Sequence, residues 1–388
     1  MSRKFTSEIV KNLFDEMQRR QPDVLTLTRK LVEIESPSGN FEGSCQIVSL
    51  LSEELEKCPN LIELKQIERP GYGLHLLARV GSKDADTRVM ILGHTDTVYP
   101  VGTLHQRPWC EAEGKIYAPG VFDMKANCAL AVMVIGLCAE SDLLDRREVT
   151  LLLTCDEETG SEHGRSLVEE QTGRCKTVFV LEPPATAGAA KTGRKGTANY
   201  QLEVKGIAAH AGLDPEKGAS AIREISRQIN HVYEMSLPAQ GTTINVGLVG
   251  GGIASNVVAP DAQATIDVRF CSMDDASRIE QQIFALKSFD SRTQLKITGR
   301  INRPPLERSE KVLNLYLQAR SIAALLDVEL GEATVGGASD GNFAAAVGAS
   351  VLDGLGVDGD GAHAEHEHIV IDRIPFRGAL LAGLIAMQ

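Results

Sequence analysis

The sequence predicts an α/β protein: a three-layer domain with a mostly parallel or mixed sheet, interrupted by an inserted α+β domain of ferredoxin-like βαββαβ order. Outside the middle of the chain, short β-type runs alternate with helical periodicity, as in sheets that helices cover on both faces. Between residues 192 and 301, the predicted order is strand, helix, strand, strand, helix, strand, which is one complete βαββαβ unit. We therefore predict that 1–191 and 302–388 form one domain and that 192–301 is inserted into it.

Each predicted element depends on hydrophobic periodicity and on the breakers that bound it. Apolar residues recur at helical spacing through the first sixty residues, as at Ile47, Leu51 and Leu55, with a breaker at 36–39. The next elements are strands at 61–67, 73–80, 88–93, 149–155 and 176–182, and helices at 124–140 and 161–172. The inserted domain has strands at 197–205, 242–249, 262–270 and 293–300, and helices at 217–235 and 274–288. Helices and strands resume at 309–326, 328–335, 340–347 and 349–353, and a final helix starts near 373.

Composition limits the classes of function. A chain of 388 residues exceeds one ordinary core, and 43% hydrophobic with 24% charged residues is typical of globular proteins. The net charge of −12 disfavours nucleic acid as a partner, because a polyanion would approach against the mean field. We find no apolar run of bilayer length and no secretory signal, so we expect no membrane partner. Eight scattered cysteines without a CxxC pair fit reduced thiols, and we expect a cytoplasmic protein.

A histidine and an aspartate follow the strand at 88–93. His94 and Asp96 are two residues apart in extended chain, so their side chains point to the same face. Catalytic zinc is held by His, Glu and Asp side chains, and an aspartate behind the ring would orient His94 and raise its basicity. Taken alone, the pair also fits a solvated loop.

Two acidic motifs are further candidates. Asp123 lies just before the helix at 124–140, where it either caps the helix or uses both oxygens to bridge two metal ions. Glu157 and Glu158 follow the strand at 149–155, within three consecutive carboxylates that repel one another unless cations or solvent compensate. Adjacent side chains point in different directions, so Glu158 can bind a metal while Glu157 acts as general base and then general acid. A solvated acidic turn is the alternative.

The remaining candidates are Glu182, which ends the strand at 176–182, and the tract 361–368, which contains three histidines. Each feature is also common outside metal sites. In open α/β sheets, however, ligands gather outside the carboxyl ends of the strands, where these segments are predicted to fall. Together they indicate a metal centre.

These segments resemble the di-zinc aminoacyl hydrolases, a family that includes glutamate carboxypeptidase, acetylornithine deacetylase, succinyl-diaminopimelate desuccinylase and aminoacylase. The resemblance covers most of the chain, in order, and is strongest to the glutamate carboxypeptidase branch, through GGASDGN before LDGLG. The other matching segments are GHTDTV (93–98), GVFDMK (120–125), DEETGS (156–161), LEP (181–183), GIAAHAG (206–212), ASNVVAP (254–260) and GAHAEHEHI (361–369).

The resemblance implies two zinc ions, with Co²⁺ or Mn²⁺ as accepted substitutes. It implies that Asp123 bridges both ions, that Glu157 is the base, and that a cis peptide bond follows Asp123. In the histidine tract it selects His363, because the family ligand lies four residues before a glutamate. The implied ligand sets are His94 and Glu182 for one ion, and Glu158 and His363 for the other.

The implied reaction is metal-assisted hydrolysis of an amide bond next to a C-terminal amino acid, glutamate in this branch, in a small peptide or N-acyl amino acid. Deacylation of an N-acyl amino acid is the alternative within the family. The inserted domain resembles the family's lid and dimerisation domain, which implies a homodimer. His210 would reach across the dimer to polarise the scissile carbonyl. Asn256 and Arg269, with Arg303 as a weaker candidate, would hold the substrate carboxylate.

The sequence also allows two other classes of protein. Residues 337–341 fit the G-x-S-x-G nucleophile elbow, so that Ser339, Asp358 and His363 would form the triad of a serine hydrolase. This interpretation starts from a poor buried strand at 329–335 and leaves the acidic motifs unexplained. A non-catalytic binding protein on the same scaffold is disfavoured, because neither the base nor any ligand is missing.

Overall fold

A computed structural model describes residues 6–388. These residues separate into two compact units. The first unit extends from the first described residue to Gly193 and includes Arg308–Val335 and Ser339–Gln388. The second unit comprises Arg194–Glu307 and Gly336–Ala338. Residues 336–338, which the sequence analysis places in the outer domain, therefore belong to the second unit.

The secondary structure alternates as the fold class requires. The helices are α1 (Ser7–Val32), α2 (Phe41–Leu55), α3 (Thr103–Gln106), α4 (Ala126–Glu140), α5 (Gly164–Thr172), α6 (Ala221–Tyr233), α7 (Met273–Phe284), α8 (Glu310–Ala324), α9 (Gly341–Ala346) and α10 (Ile374–Met387). The strands are β1 (Leu61–Arg69), β2 (Gly73–Gly81), β3 (Thr87–His94), β4 (Cys110–Ala112), β5 (Lys115–Tyr117), β6 (Arg147–Thr154), β7 (Thr177–Val180), β8 (Ala190–Arg194), β9 (Gly196–Lys205), β10 (Thr243–Gly251), β11 (Asp261–Phe270), β12 (Gln294–Arg303), β13 (Glu332–Val335), β14 (Ser350–Leu352), β15 (Gly359–Asp360) and β16 (His368–Val370).

The main sheet of the first unit has the order β1-β2-β6-β3-β7-β14. Strands β6, β3, β7 and β14 run parallel, and the β1-β2 hairpin joins β6 in antiparallel orientation. Successive residues of β6 and β7 are buried, which requires cover on both faces of the sheet. The predicted mixed, three-layer arrangement is thus confirmed. Because parallel strands end at one edge, β3, β6 and β7 deliver the residues after them to the same place.

Helix α4 is the core helix of this unit. The stretch Val121–Glu140 is long and apolar enough to cross a membrane by length and composition alone, so the expectation of no such run is wrong. Within the unit, 89% of its most apolar window is buried, and α4 packs against α1, α2 and α10. Burial on all sides accounts for its apolar composition.

Two features of the first unit differ from simple periodicity. The helical patterns around Met17 and Leu31 form one continuous helix, α1, with Pro22 inside it. Its apolar side packs on α4 and α10, which offsets a proline cost of about 3 kcal/mol. A small sheet of order β15-β16-β5-β4 was not predicted, because its strands have only two or three residues.

The second unit is a four-stranded antiparallel sheet of order β10-β11-β9-β12 with helices α6 and α7. Along the chain its elements follow the order βαββαβ, as predicted. Burial alternates along β11 with a period of two, so one face of the sheet packs on the helices. The core includes Tyr200, Ile266 and Phe270, all at most 1% exposed. The inserted ferredoxin-like fold is confirmed.

One buried histidine in β2 makes stability depend on pH. His75 is completely buried, and its Nδ1 accepts a hydrogen bond from the amide of Cys155 (3.2 Å). Burial, and after it the charge of Arg69, lower the pKa of His75 from 6.5 to about 4. Folding therefore requires the neutral imidazole at pH values where the unfolded chain would already bind a proton.

We predict that the free energy of unfolding decreases as the pH falls from 6.5 towards 4, because the unfolded state binds the proton of His75 more tightly in this window. The shift corresponds to about 3 kcal/mol. His75→Asn keeps an acceptor for the Cys155 amide and removes the titrating group. Its free energy of unfolding should therefore change less over this pH range than that of the wild type. Urea unfolding of both proteins in the presence of a chelator measures this, and parallel pH curves would contradict it.

Candidate metal and catalytic centre

His94 ends β3 at the carboxyl edge of the main sheet and is 1% exposed. Its Nδ1 lies 2.9 Å from the backbone carbonyl of Asp96 and 3.4 Å from that residue's carboxylate. Both acceptors favour a proton on Nδ1, which leaves Nε2 free to act as a ligand. Nε2 faces Asp123 Oδ1 at 3.2 Å and Glu182 Oε1 at 3.5 Å.

The Asp96 carboxylate has a second role that the sequence analysis missed. Its Oδ1 accepts a hydrogen bond from the amide of Glu157 (3.2 Å), and Oδ2 accepts one from the amide of Glu158 (3.1 Å) and one from the Ser38 hydroxyl. A buried carboxylate thus fixes the acidic turn after β6 relative to His94. The HxD spacing predicts contact with the histidine but carries no signal for these amides.

Asp123 lies between two imidazoles. Its Oδ1 is 3.2 Å from Nε2 of His94, and its Oδ2 is 3.4 Å from Nε2 of His363. The bond from Asp123 to Met124 is cis, as the resemblance implied. Asp123 does not cap α4, whose N-cap residue is Lys125, and its two carboxylate oxygens face the two imidazoles of the cluster. This is the disposition that a bridging ligand needs.

Glu158 and His363 form the second half of the cluster. Glu158 Oε2 lies 3.1 Å from Nε2 of His363. Glu158 Oε1 is buried, and no residue in the described part of the chain forms a hydrogen bond with it. A buried carboxylate oxygen without a donor is costly unless a cation or water occupies its environment. The side chain of His363 is 52% exposed, in contrast to that of His94.

Glu157 and Glu182 lie on the His94 side and are each 7% exposed. Ligand atoms of His94, Glu157 and Glu182 lie within 4.8 Å of one another, as do those of His94, Asp123 and Glu158. The geometry therefore brings together all seven first-unit candidates. Distances alone allow Glu157 to be a ligand as well as a base.

The charges in the cluster change the pKa values of its members. Burial opposes protonation of His94, yet hydrogen bonds with Asp123, Asp96 and Glu182 raise its pKa well above the ordinary value. Asp123 and Glu158 raise the pKa of His363 to about 10. Burial raises the pKa of Glu158. The buried carboxylates thus require positive charge, which the imidazoles supply by binding protons unless divalent cations take their place.

The donor set fits two divalent cations. Histidine nitrogens and carboxylate oxygens are the ligands of catalytic zinc, and Co²⁺ and Mn²⁺ accept them too. The buried, donorless Oε1 of Glu158 and the position of Asp123 between His94 and His363 agree with this.

The four candidates of the second unit lie at opposite ends of its sheet. The segments of His210 and Asn256 pair through a hydrogen bond from the Ala211 amide to the Asn256 carbonyl (2.9 Å), beyond the end of β9. Arg269 and Arg303 occupy one row at the other end, because each pairs with Thr197 in the middle strand. The structure therefore does not place Asn256 beside Arg269.

The guanidinium groups of this row differ in environment. Arg269 donates to both oxygens of Asp267 (2.8 and 3.0 Å) and keeps 36% of its side chain exposed. Arg303 is 7% exposed. The exposed group is the more accessible of the two to a substrate carboxylate.

Glu367, the glutamate four residues after His363, contacts the loop of Asp123. Glu367 is 1% exposed, and its carboxylate accepts hydrogen bonds from the amides of Gly120, Phe122 and Asp123 (2.9, 2.9 and 3.0 Å). Because its carboxylate accepts hydrogen bonds from three backbone amides, Glu367 fixes the conformation of the loop that carries Asp123. In the sequence, its only signal was its spacing from His363.

The serine-hydrolase triad does not form. The hydroxyl of buried Ser339 donates to Asp353 Oδ2 (2.7 Å), and Asp358 pairs with Arg373 and Arg377. His363 faces Asp123 and Glu158 instead of Ser339. The G-x-S-x-G match arises from the turn before α9, in which the Ser339 side chain is buried, so this alternative is wrong.

Comparison with known proteins agrees with this geometry. Residues 90–387 match the model of peptidase family M20/M25/M40. The chain belongs to this family. Its members in the comparisons include metallo-carboxypeptidases and deacetylases, so the chain is a metal-dependent hydrolase of the peptidase and amidohydrolase type.

Several curated relatives cover most of the chain. Carboxypeptidase G2 of Pseudomonas sp. (strain RS-16) is 28% identical over 385 residues, which are 96% of this chain and 91% of that protein. Succinyl-diaminopimelate desuccinylase of Delftia acidovorans is 26% identical over 375 residues, 89% of this chain and 93% of that protein. Similar identities to enzymes with different names leave the specific activity within the family open.

Solved structures share the fold. A tripeptidase from Staphylococcus aureus superposes with a TM-score of 0.79 at 21% identity, over 95% of this chain and 99% of that chain. The M20 family metallo-carboxypeptidase Sso-CP2 from Sulfolobus solfataricus gives 0.73 at 16% identity, over 94% and 99%. At these identities the likeness concerns the fold alone.

Proposed function

We propose that this protein hydrolyses the amide bond next to a C-terminal amino acid, with glutamate as the preferred residue, at a centre of two zinc ions. One observation carries the proposal: the two oxygens of Asp123 face two imidazoles on opposite sides, with the Glu157–Glu158 turn beside them. A carboxylate with one oxygen towards each imidazole has the arrangement that a ligand shared by two cations needs.

The residues divide into two ligand sets that share Asp123. We assign His94 and Glu182 to one ion and Glu158 and His363 to the other, following the contacts of each imidazole. When bound, the cations would polarise the substrate carbonyl and lower the pKa of water. Zinc suits this mixed nitrogen and oxygen set, with Co²⁺ or Mn²⁺ as substitutes.

Glu157 is our candidate for the base. The backbone amide of Glu157 donates a hydrogen bond to Asp96, which fixes the position of the Glu157 backbone beside the candidate ligands. The Glu157 carboxylate takes a proton from the attacking water and returns it to the leaving amine, a role that requires an acceptor next to the cations but outside their ligand set. Asp96 acts as a positioning residue for both His94 and Glu157.

The choice of substrate depends on the relatives. The name of carboxypeptidase G2, which this chain matches over 91% of that protein's length at 28% identity, favours release of a C-terminal residue. The desuccinylase and the acetylornithine deacetylase of Proteus mirabilis favour the alternative, removal of an acyl group from an amino acid. Arg269, supported by Arg303 in the same row, is the candidate for binding a substrate carboxylate.

The distance between the candidate residues at the two ends of the second unit favours a homodimer. Asp261 and Arg269 are eight residues apart in β11, which corresponds to about 26 Å along the strand. A substrate of two residues is about 7 Å long and cannot contact both ends. We therefore propose that His210 and Asn256 act on a substrate held by Arg269 of the other copy.

We predict that Glu157→Gln lowers kcat by about 10² to 10⁴-fold and retains two bound metal ions, because it removes the base and leaves the ligands. A chelator should abolish the activity of the wild-type enzyme, and added Zn²⁺ should restore it. Metal content by mass spectrometry and turnover are measured on the same samples. Loss of a metal from Glu157→Gln would show that Glu157 is a ligand instead.

We predict that kcat/KM depends on the C-terminal residue, with glutamate preferred, and decreases by at least about tenfold when the terminal carboxylate is replaced by a carboxamide, since a charge-assisted hydrogen bond is lost. Peptides and N-acyl amino acids are compared in one assay. A preference set by the acyl group and indifferent to the terminal residue would favour the deacylase alternative.

We predict that His210→Ala and Arg269→Ala each lose activity and that their mixture regains roughly one quarter of the wild-type value, because half of the random dimers then contain one intact site. The mixture is refolded or exchanged together before the assay. Each variant alone is the matched control. No recovery in confirmed mixed dimers would place both residues in one chain's site.

A further inference from the structure

Glu367 connects the two parts of the chain that carry Asp123 and His363. Residues 361–367 form the loop of the β15-β16 hairpin, with His363 near its tip and Glu367 at its end. The loop of Asp123 follows β5, which pairs with β16. Glu367 thus lies where the hairpin loop meets the segment 120–123, although about 245 residues separate them in sequence.

The carboxylate of Glu367 holds the backbone on both sides of Asp123. Oε1 accepts from the amides of Phe122 and Asp123, and Oε2 accepts from the amide of Gly120. Gly120 has φ of 70°, and a Cβ there would lie 2.6 Å from Thr97, so the turn is already constrained. The side chain of Asp123 can place one oxygen on each imidazole only if this turn keeps its orientation.

The hairpin loop is held from its other side as well. The carbonyl of Ala364 accepts hydrogen bonds from the Tyr99 hydroxyl and from Arg107 (3.1 Å each). The guanidinium of Arg107 lies 4.5 Å from the centre of the Tyr99 ring. His363 itself has φ of 64°, a left-handed conformation that an L-residue adopts only when its surroundings hold it there.

The two imidazoles are anchored differently. His94 belongs to a central strand and receives support from Asp96. His363 is half exposed on a hairpin loop, and its position relative to Asp123 depends on the contacts of Glu367, Tyr99 and Arg107.

We propose that Glu367 is a positioning residue that couples the bridging aspartate to the His363 loop, and that it controls binding of the ion held by His363 and Glu158 more than binding of the ion held by His94 and Glu182. The inference depends on the proposed di-metal function. If Glu367 had only a general structural role, its replacement would weaken the binding of both ions equally or would only lower the stability of the protein.

The test is a titration of metal-free protein with Co²⁺, followed by visible absorption and calorimetry. Wild type should bind two ions. Glu367→Gln keeps the shape but turns an amide group towards the amide donors, so it should bind the first ion as wild type does and the second about 10 to 100-fold more weakly. Glu365→Gln, which removes the same charge from an exposed position of the same loop, is the matched control and should bind both ions normally.

Thermal unfolding of the metal-free variants separates folding from metal affinity. Glu367→Asp retains the charge on a shorter side chain. It should lower the affinity for the second ion less than Glu367→Gln does. If Glu367→Gln does not fold, Glu367→Asp and Tyr99→Phe decide, and both should weaken the second ion selectively. Equal binding in Glu367 and Glu365 variants, or equal loss of both ions, overturns the inference. A wild-type protein that binds no Co²⁺ would instead overturn the proposed function.

Discussion

The structure of the site depends on a concentration of buried negative charge at the carboxyl edge of the parallel strands. Asp123, Glu157, Glu158 and Glu182 converge on two imidazoles in surroundings from which most water is excluded. Such a group of carboxylates is unfavourable in a folded protein without positive charge. The raised pKa values of His94 and His363 express that demand. Divalent cations satisfy it with more charge than protons can.

A second group of acidic residues holds the backbone segments that carry or adjoin the first group. Asp96, Asp156 and Glu367 are almost completely buried, and each carboxylate accepts hydrogen bonds from two or three backbone amides. Asp96 holds the Glu157–Glu158 turn, Asp156 holds the start of α5, and Glu367 holds the Asp123 turn. Acidic residues that face the imidazoles are thus the candidate metal ligands, whereas those that face backbone amides fix the positions of the loops.

The fold explains why these residues meet. Parallel pairing of β6, β3 and β7 places the residues that follow each strand at one edge, and the continuous burial of the strands makes their register rigid. His363 comes from a different, smaller sheet, which is why its position depends on specific side-chain contacts. The second unit has an independent core and presents its candidate residues at two separate ends.

Much of this protein was determined by local patterns in the sequence. The alternation of strands and helices predicted the mixed sheet, and the βαββαβ order predicted the inserted fold, because both depend on periodicity that neighbouring residues encode. His94, Asp96 and the Glu157–Glu158 pair could be found because they directly follow apolar strands. The motifs in order also indicated the family and hence the roles proposed for Asp123, Glu182 and His363.

Only the tertiary structure decided the features that depend on distant residues. It showed that the Ser339 hydroxyl donates a hydrogen bond to Asp353 and that His363 faces Asp123 and Glu158, although the local G-x-S-x-G pattern is intact. It separated Asn256 from Arg269 and revealed Glu367 against the Asp123 turn, a contact between segments remote in sequence. Strands of two or three residues are too short to show a period, so the small sheet that carries His363 was also invisible. Local patterns encode periodicity and turns, whereas the partner of a buried polar group is chosen by packing across the whole chain.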